Sequence, residues 1–288
     1  RMPPNRRAVL TAMAASMVGG CAGPDGTRAP STSGTRPAAT RNGAPRTAAP
    51  TTVPVTRAQV VARYRHGKPH TWGFDAPGVI RRLPTARPGI ALTFDACGGP
   101  HGSGYDHTLI DFLRRRKVPA TLFLNSRWID ANPAAFRRLA REPLFEIANH
   151  GTRHRPLSVT GRSAYGIAGT RNAGEVYDEI AGNHAKLTRL LGAPPRFFRP
   201  GTAYCDDVAA HIVQDLGEHV VSFSVNGDGG ATFTPEQVRS TVSAARDGSI
   251  VICHMNQPRS GTARGIAAAV PHLLASGHRF VRLSDVLH

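Results

Sequence analysis

Acidic residues are scarce in this chain: 288 residues hold 19 Asp and Glu against 36 Lys and Arg, a formal net charge of +17. Aromatics are scarce too, at 6 %, with two Trp. No apolar run reaches the ~20 residues that a membrane-spanning helix needs. No basic stripe is interleaved with aromatics and no RNA- or DNA-binding motif is present, which excludes a nucleic-acid partner. The surplus positive charge, mostly Arg, instead suits anionic lipid or an anionic wall polymer as a neighbour. Residues 1–55 hold seven Arg and one Asp, a balance of +6 that leaves +11 on the remainder.

Large apolar residues are almost missing from residues 22–55, which are rich in Pro, Ala, Thr, Gly and Ser. Such a stretch cannot bury enough surface to offset its ordering entropy, so it reads as a disordered tether spanning roughly 30–35 Å. Ahead of it, Arg6-Arg7 precede an apolar run, Leu10 to Val18, and the small residues Gly19-Gly20 before Cys21. A basic start, a short apolar core and small residues form a secretory signal. The paired arginines resemble a twin-arginine signal. Val18-Gly19-Gly20-Cys21 resembles a lipoprotein box in which Cys21 becomes the lipidated N-terminus. Residues 1–21 are therefore expected to be a signal peptide, 22–55 a tether and 56–288 a catalytic domain. This arrangement would anchor an exported protein at the outer face of the cytoplasmic membrane. Cysteines number four. With Cys21 lipidated an odd number remain, too few for a disulfide framework. Pairing of Cys97 with Cys205 stays open, and Cys253 reads as a small core residue.

From residue 89 the pattern alternates. Strands are expected at Ile90–Phe94, Ala120–Leu124, Phe145–Ala148, Arg196–Phe198, Val220–Val225, Ser249–Cys253 and Arg279–Leu283. Helices are expected between them, at His107–Lys117, Pro133–Arg141, Glu175–Leu191, Asp206–Leu216, Pro235–Asp247 and Ala263–Ser276. Strands alternating with helices imply parallel βα units. Seven strands suggest an α/β fold of the distorted, incomplete (β/α) barrel type, with a doubly wound sheet as the alternative. Polar residues follow the strands in turn: Asp95, Asn125, His150, Arg199, Asn226 with Asp228, and His254. In a barrel all of them gather at the C-terminal face, where such folds carry their chemistry.

His150-x-x-x-His154 offers two imidazoles to one divalent metal, and with a carboxylate they suit Zn²⁺, or Co²⁺ or Ni²⁺ by availability. His254, ending an apolar strand, suits a general acid. Arg199 can pin Asp95 as an anion. Asp228 either orients His254 or merely occupies a Gly-rich turn.

Thr93-Phe94-Asp95, His150-x-x-x-His154, the Arg199-Pro200 loop and the apolar strand ending in His254 together resemble the polysaccharide deacetylase family (NodB-like, carbohydrate esterase family 4). The resemblance spans residues 88–285. It implies a distorted (β/α) barrel that removes N-acetyl groups from glycans or O-acetyl groups from xylan; the leading expectation is a divalent-metal-dependent enzyme acting on N-acetylated cell-wall-type polysaccharide. It assigns Asp95 as general base, His150 and His154 as metal ligands, Arg199 as the residue holding the base and His254 as general acid. Asp228 matches the position tuning that acid, and backbone N–H groups near Tyr204 would meet the oxyanion. The family pattern carries a second, metal-binding Asp after the first, and here that position is Ala96. Gly229 stands where an aromatic is expected. The third ligand is then Asp95 itself, the Cys97 thiolate, Asp106 or Asp206. The alternatives are an impaired relative that binds glycan without cleaving it, and a hydrolase with Cys97 as nucleophile.

Overall fold

The structure, a computed structural model, describes residues 54–288. The expected signal peptide, the lipidated Cys21 and nearly all of the tether lie outside the described residues. No described helix is long and apolar enough to cross a membrane.

In chain order the helices are α1 (Arg57–Tyr64), α2 (His107–Arg116), α3 (Ser126–Ala131), α4 (Pro133–Ala140), α5 (Ala173–Leu191), α6 (Asp207–Asp215), α7 (Pro235–Ser243) and α8 (Thr262–Ala275). The strands are β1 (Trp72–Gly73), β2 (Ala91–Ala96), β3 (Ala120–Leu124), β4 (Phe145–Asn149), β5 (Phe197–Phe198), β6 (Cys205–Asp206), β7 (His219–Val220), β8 (Val225–Asn226) and β9 (Ile250–His254). Seven strands form one sheet in the order β7-β5-β4-β3-β2-β9-β8, parallel at every junction. β1 and β6 form a separate antiparallel pair.

Apolar runs make these central strands because parallel strands are covered on both faces. Along β2, Leu92, Phe94 and Ala96 face the helix-side core. Ala91 joins the inner core with Phe123, Phe197 and Ile250. Each fully buried Leu or Phe contributes about 1.5–3 kcal/mol.

The expected strand Val220–Val225 is in fact two strands on opposite edges of the sheet. β7 pairs with β5, β8 pairs with β9, and residues 221–224 carry the chain between them. Such a link reaches roughly 17 Å at full extension, so the sheet is curled almost shut. The segment near Ile80 fills the gap, donating to Val220 O at 2.9 Å and accepting from Ser222 N–H at 2.9 Å. This is the distorted barrel expected from sequence, with a different closing strand. The expected last strand, Arg279–Leu283, is reduced to a bridge from Ile90 to Phe280 and a 3₁₀ turn at Leu283–Asp285.

Asp106 and Asp206 are helix caps. Asp106 accepts from Leu109 N–H at 3.0 Å and Asp206 from Ala209 N–H at 2.7 Å. Their carboxylates satisfy orphan donors of the first helical turn and do not reach the histidine pair. Cys97, Cys205 and Cys253 are free thiols, so Cys97 and Cys205 form no disulfide. Cys205 is buried against Leu157 and Phe198 in a separate apolar cluster, and Cys253 lies in the helix-side core.

Candidate active site

Parallel register sets the site. Asp95 on β2 lies opposite His254 on β9, and Met255 N–H donates to Asp95 O at 3.0 Å. Two strand ends therefore deliver a carboxylate and an imidazole side by side at the C-terminal face.

Arg199 leaves β5 and runs through the barrel interior, its guanidinium fully buried. Nη1 donates to Asp95 Oδ1 at 2.7 Å and Thr93 Oγ1 at 2.9 Å, Nε to Val221 O at 3.1 Å and Nη2 to Ser222 O at 2.8 Å. The Phe123 ring lies 4.1 Å below it. Burial pushes the Asp95 carboxyl up, but Arg199 first, then His150 and His254, pull it below its ordinary 3.8. A depressed carboxyl stabilises the fold above its unfolded value, and that contribution is lost as pH falls through the folded value. Acid unfolding from this pair is thus confined to below about pH 4. Replacing Arg199 by Ala leaves a buried carboxylate unpaired and is expected to cost about 3–5 kcal/mol, read by denaturant titration.

His150 is fully buried. Its Nδ1 lies 2.8 Å from Arg199 O. A carbonyl only accepts, so Nδ1 carries the proton and the Nε2 lone pair faces the site. From Nε2, Cys97 Sγ is 3.9 Å away and Asp95 Oδ2 3.6 Å. The His154 ring meets that of His150 at 4.8 Å between centroids. His154 takes φ +61°, a conformation held from below by Glu179. That carboxylate accepts from Arg153 N–H at 3.0 Å and Arg155 N–H at 3.1 Å. Asn125 Nδ2 completes the support, donating to His150 O at 3.0 Å and Gly151 O at 2.9 Å.

Among the described residues one set of donors converges as a metal site would: Cys97, His150 and His154, one ligand atom from each within 4.8 Å of the others. Asp95 stands beside this set with Oδ1 committed to Arg199. A thiolate and two imidazoles are donors that zinc accepts while leaving a fourth position for water. Burial pushes the Cys97 thiol up, but His154, then His150 and His254, bring it well below its ordinary range. Ala96 turns its methyl into the helix-side core, so the side chain that reaches the histidines comes one residue later.

Asp228 does orient His254. It is fully buried, accepting from His254 Nδ1 at 2.9 Å, His254 N–H at 2.7 Å and Thr262 Oγ1 at 2.8 Å. Burial would lower His254, but Asp228 outweighs it and, with Cys97, holds the imidazole well above its ordinary 6.5. Its stabilising charge is fully present below pH 6.5 and lost as pH rises through the folded value. Asp228→Asn is therefore expected to move the alkaline limb of the pH–rate profile toward neutral by about 1–3 pH units, measured with initial rates from pH 6 to 10. Phe233 packs against Gly229, where any Cβ would strike its ring. An aromatic thus covers this corner from four residues further on.

The Arg199-Pro200 loop turns through Gly201–Ala203. Gly201 is required because a Cβ there would meet the His154 carbonyl. Thr202 and Ala203 follow at φ +67° and +62°, left-handed conformations that cost about 1–3 kcal/mol each and cluster at functional sites. Thr202 lines the cavity. Tyr204 N–H makes a long 3.4 Å bond to Thr202 Oγ1, and the Tyr204 ring belongs to an aromatic group outside the metal site. The cavity, about 800 Å³, is also lined by Asp95, Cys97, His154, Asn226 and His254.

A family model described as polysaccharide deacetylase matches residues 82–221, the span that carries Asp95, His150, His154 and Arg199. Over that span the chain resembles the polysaccharide deacetylase family. Relatives it matches are named as a peptidoglycan-N-acetylglucosamine deacetylase and a chitooligosaccharide deacetylase. The chain is 27 % identical over 213 residues to the peptidoglycan-N-acetylglucosamine deacetylase of Bacillus cereus, covering 73 % of this chain and 92 % of that relative. Its fold is shared by a family 4 pseudoenzyme of Bacillus anthracis, at 20 % identity and a TM-score of 0.61 over 74 % of this chain and 70 % of that one. A family 4 acetyl xylan esterase of Clostridium thermocellum, solved with a cobalt ion, matches at 24 % identity and a TM-score of 0.57 over 68 % and 89 % of the two chains.

Asn125 is one of the strand-end residues legible in the sequence, whereas Glu179 and Ser222 support the site without announcing themselves there. Glu179 sits mid-helix on α5 like any solvent-facing acid, and only an unexpected burial marks it.

Proposed function

We propose that this chain is a metal-dependent deacetylase of N-acetylated cell-wall polysaccharide in which Cys97 replaces the missing metal-binding aspartate. The observation that carries the proposal is the convergence of Cys97, His150 and His154 beside an Arg199-held Asp95. Cys97 Sγ, His150 Nε2 and a ring nitrogen of His154 would hold the metal. When bound there, a divalent ion supplies Lewis acidity, polarising the acetyl carbonyl and lowering the pKa of a water.

Asp95 is the base. Arg199 fixes one of its oxygens and keeps it anionic, while Oδ2, on the side of His150, takes the proton from water as the water oxygen bonds to the acetyl carbonyl carbon. His254 is the acid: Asp228 holds Nδ1, so Nε2 delivers a proton to the leaving amine nitrogen as the C–N bond breaks and acetate departs. We assign the oxyanion donor to the backbone turn from Gly201 to Tyr204. The similarity to the Bacillus cereus enzyme supports a peptidoglycan-like substrate. Export and a lipid anchor at Cys21 remain our reading of the first 55 residues. The test is acetate release from peptidoglycan and chitooligosaccharides with Zn²⁺ added or chelated. Metal-dependent release supports the proposal, and no release with any divalent metal sinks it.

A second reading, a glycan binder without turnover, is favoured by Ala96 and by the likeness to a pseudoenzyme. Glycan binding without acetate release by metal-loaded protein would establish it.

A further inference from the structure

In a chain with few aromatics, five of the 18 Phe, Tyr and Trp side chains lie together at one rim of the cavity. Tyr204 is central, with Trp72 at 5.7 Å, Phe74 at 5.8 Å and Tyr165 at 5.5 Å between centroids. Phe223 stacks on Phe74 at 5.1 Å. Arg162 lies over Trp72 at 5.2 Å and Arg81 over Phe74 at 5.4 Å, which stiffens the group from outside. Tyr165 and Phe223 also line the cavity that holds Asp95, Cys97 and His254, so the aromatic rim is continuous with the reacting centre.

Tyr165 is the informative member. It is 78 % exposed, far more than any other large apolar side chain of the described residues. It occupies the tip of a two-residue hairpin closed by Ala164 and Ile167, which exchange N–H···O bonds of 3.1 and 2.9 Å. Tyr165 takes φ +50° and Gly166 φ +74°, the pair of left-handed residues of a type I′ turn, whose first place favours Asn, Asp or Gly. An aromatic ring there gains little burial and strains the backbone. The edge-to-face contact with Tyr204, at an interplanar angle of 84°, fixes the ring's attitude at the cavity mouth. Neither burial nor turn chemistry favours an aromatic at this place.

We propose that Tyr165, buttressed by Tyr204 and Trp72, is a sugar-stacking platform that holds a linear N-acetylated glycan beyond the sugar being deacetylated. Pyranose C–H groups carry the partial positive charge that suits the negative face of a ring. The ligand class rests on the deacetylase reading above, and the platform makes the enzyme selective for chains of several sugars over short fragments.

The test titrates zinc-loaded protein with N-acetylchitooligosaccharides from dimer to hexamer. Tryptophan emission serves as the reporter, because Trp72 is half-buried at the platform and Trp128 is fully buried, and Trp72→Phe checks the signal's origin. Affinity is expected to rise with length. Tyr165→Ala should lose about tenfold for the hexamer and lower the hexamer-to-dimer ratio of kcat/KM, while Tyr165→Trp restores both. Tyr165→Gly should lose the same affinity yet raise Tm by about 2–4 °C, because the strained turn is relieved. Hexamer binding unaffected by Tyr165→Ala, or no oligosaccharide binding at all, overturns the platform. So does a change of oligomeric state in Tyr165→Ala with sugar affinity intact, which would make the ring a self-association contact. Platform-dependent binding without acetate release supports the platform and defeats the deacetylase reading; acetate release indifferent to Tyr165 does the reverse.

Discussion

Replacing Asp95 by Asn is expected to lower acetate release by about 10²–10⁴-fold, the range for loss of a positioned general base, while zinc content stays near one per chain. The second half of that expectation separates base from ligand. Asp95 Oδ1 is 2.7 Å from Arg199, and the convergent donors are those of Cys97, His150 and His154. An Asn at 95 keeps the shape and removes the charge, so the metal stays and the proton acceptor goes. Arg199 loses its counter-ion in the same step, so denaturant stability should also fall. Kinetics measured well below the unfolding midpoint keep the two effects apart. Loss of metal together with activity would mean that Asp95 is a ligand, and the base would have to be sought elsewhere.

The second large effect belongs to Cys97. Cys97→Ala leaves two imidazoles, and metal affinity is expected to fall by at least 10²-fold, since a missing ligand costs more than the 10–100-fold typical of its supporting partners. Acetate release should fall in parallel and recover with excess zinc. Cys97→Asp returns a carboxylate to this wall and should retain metal. Competition with a chromophoric chelator measures both variants. A nucleophilic Cys97 predicts a different pattern: activity abolished in Cys97→Ala and Cys97→Asp alike, indifferent to chelators, and blocked by alkylation in metal-free protein.

Much of this site is legible in the amino-acid sequence because its residues end apolar strands. Asp95 and His254 follow runs that only a doubly covered parallel strand explains, and they prove to be register partners. Arg199 and His150 follow the same logic. The edges of the sheet are harder to read. Val220–Val225 looks like one apolar strand, yet two-residue strands at opposite edges carry too little pattern to show a break. α1 and α3 give weak signals because α1 follows a Pro- and Thr-rich stretch and α3 is a six-residue turn of helix. Cys97 is one of four candidate ligands on sequence alone. The choice among them needs geometry, because Asp106 and Asp206 look equally available until their carboxylates are found capping α2 and α6. Tyr165 lies in a loop where no periodicity applies, and only its exposure and positive φ single it out.

The absorption spectrum of the cobalt-loaded protein tests the central claim most directly. If Cys97 completes the metal site, the spectrum will show a thiolate-to-cobalt charge-transfer band at one cobalt per chain, absent in Cys97→Ala and Cys97→Asp. Cobalt bound at one per chain without that band, or no tight cobalt at all, would contradict it.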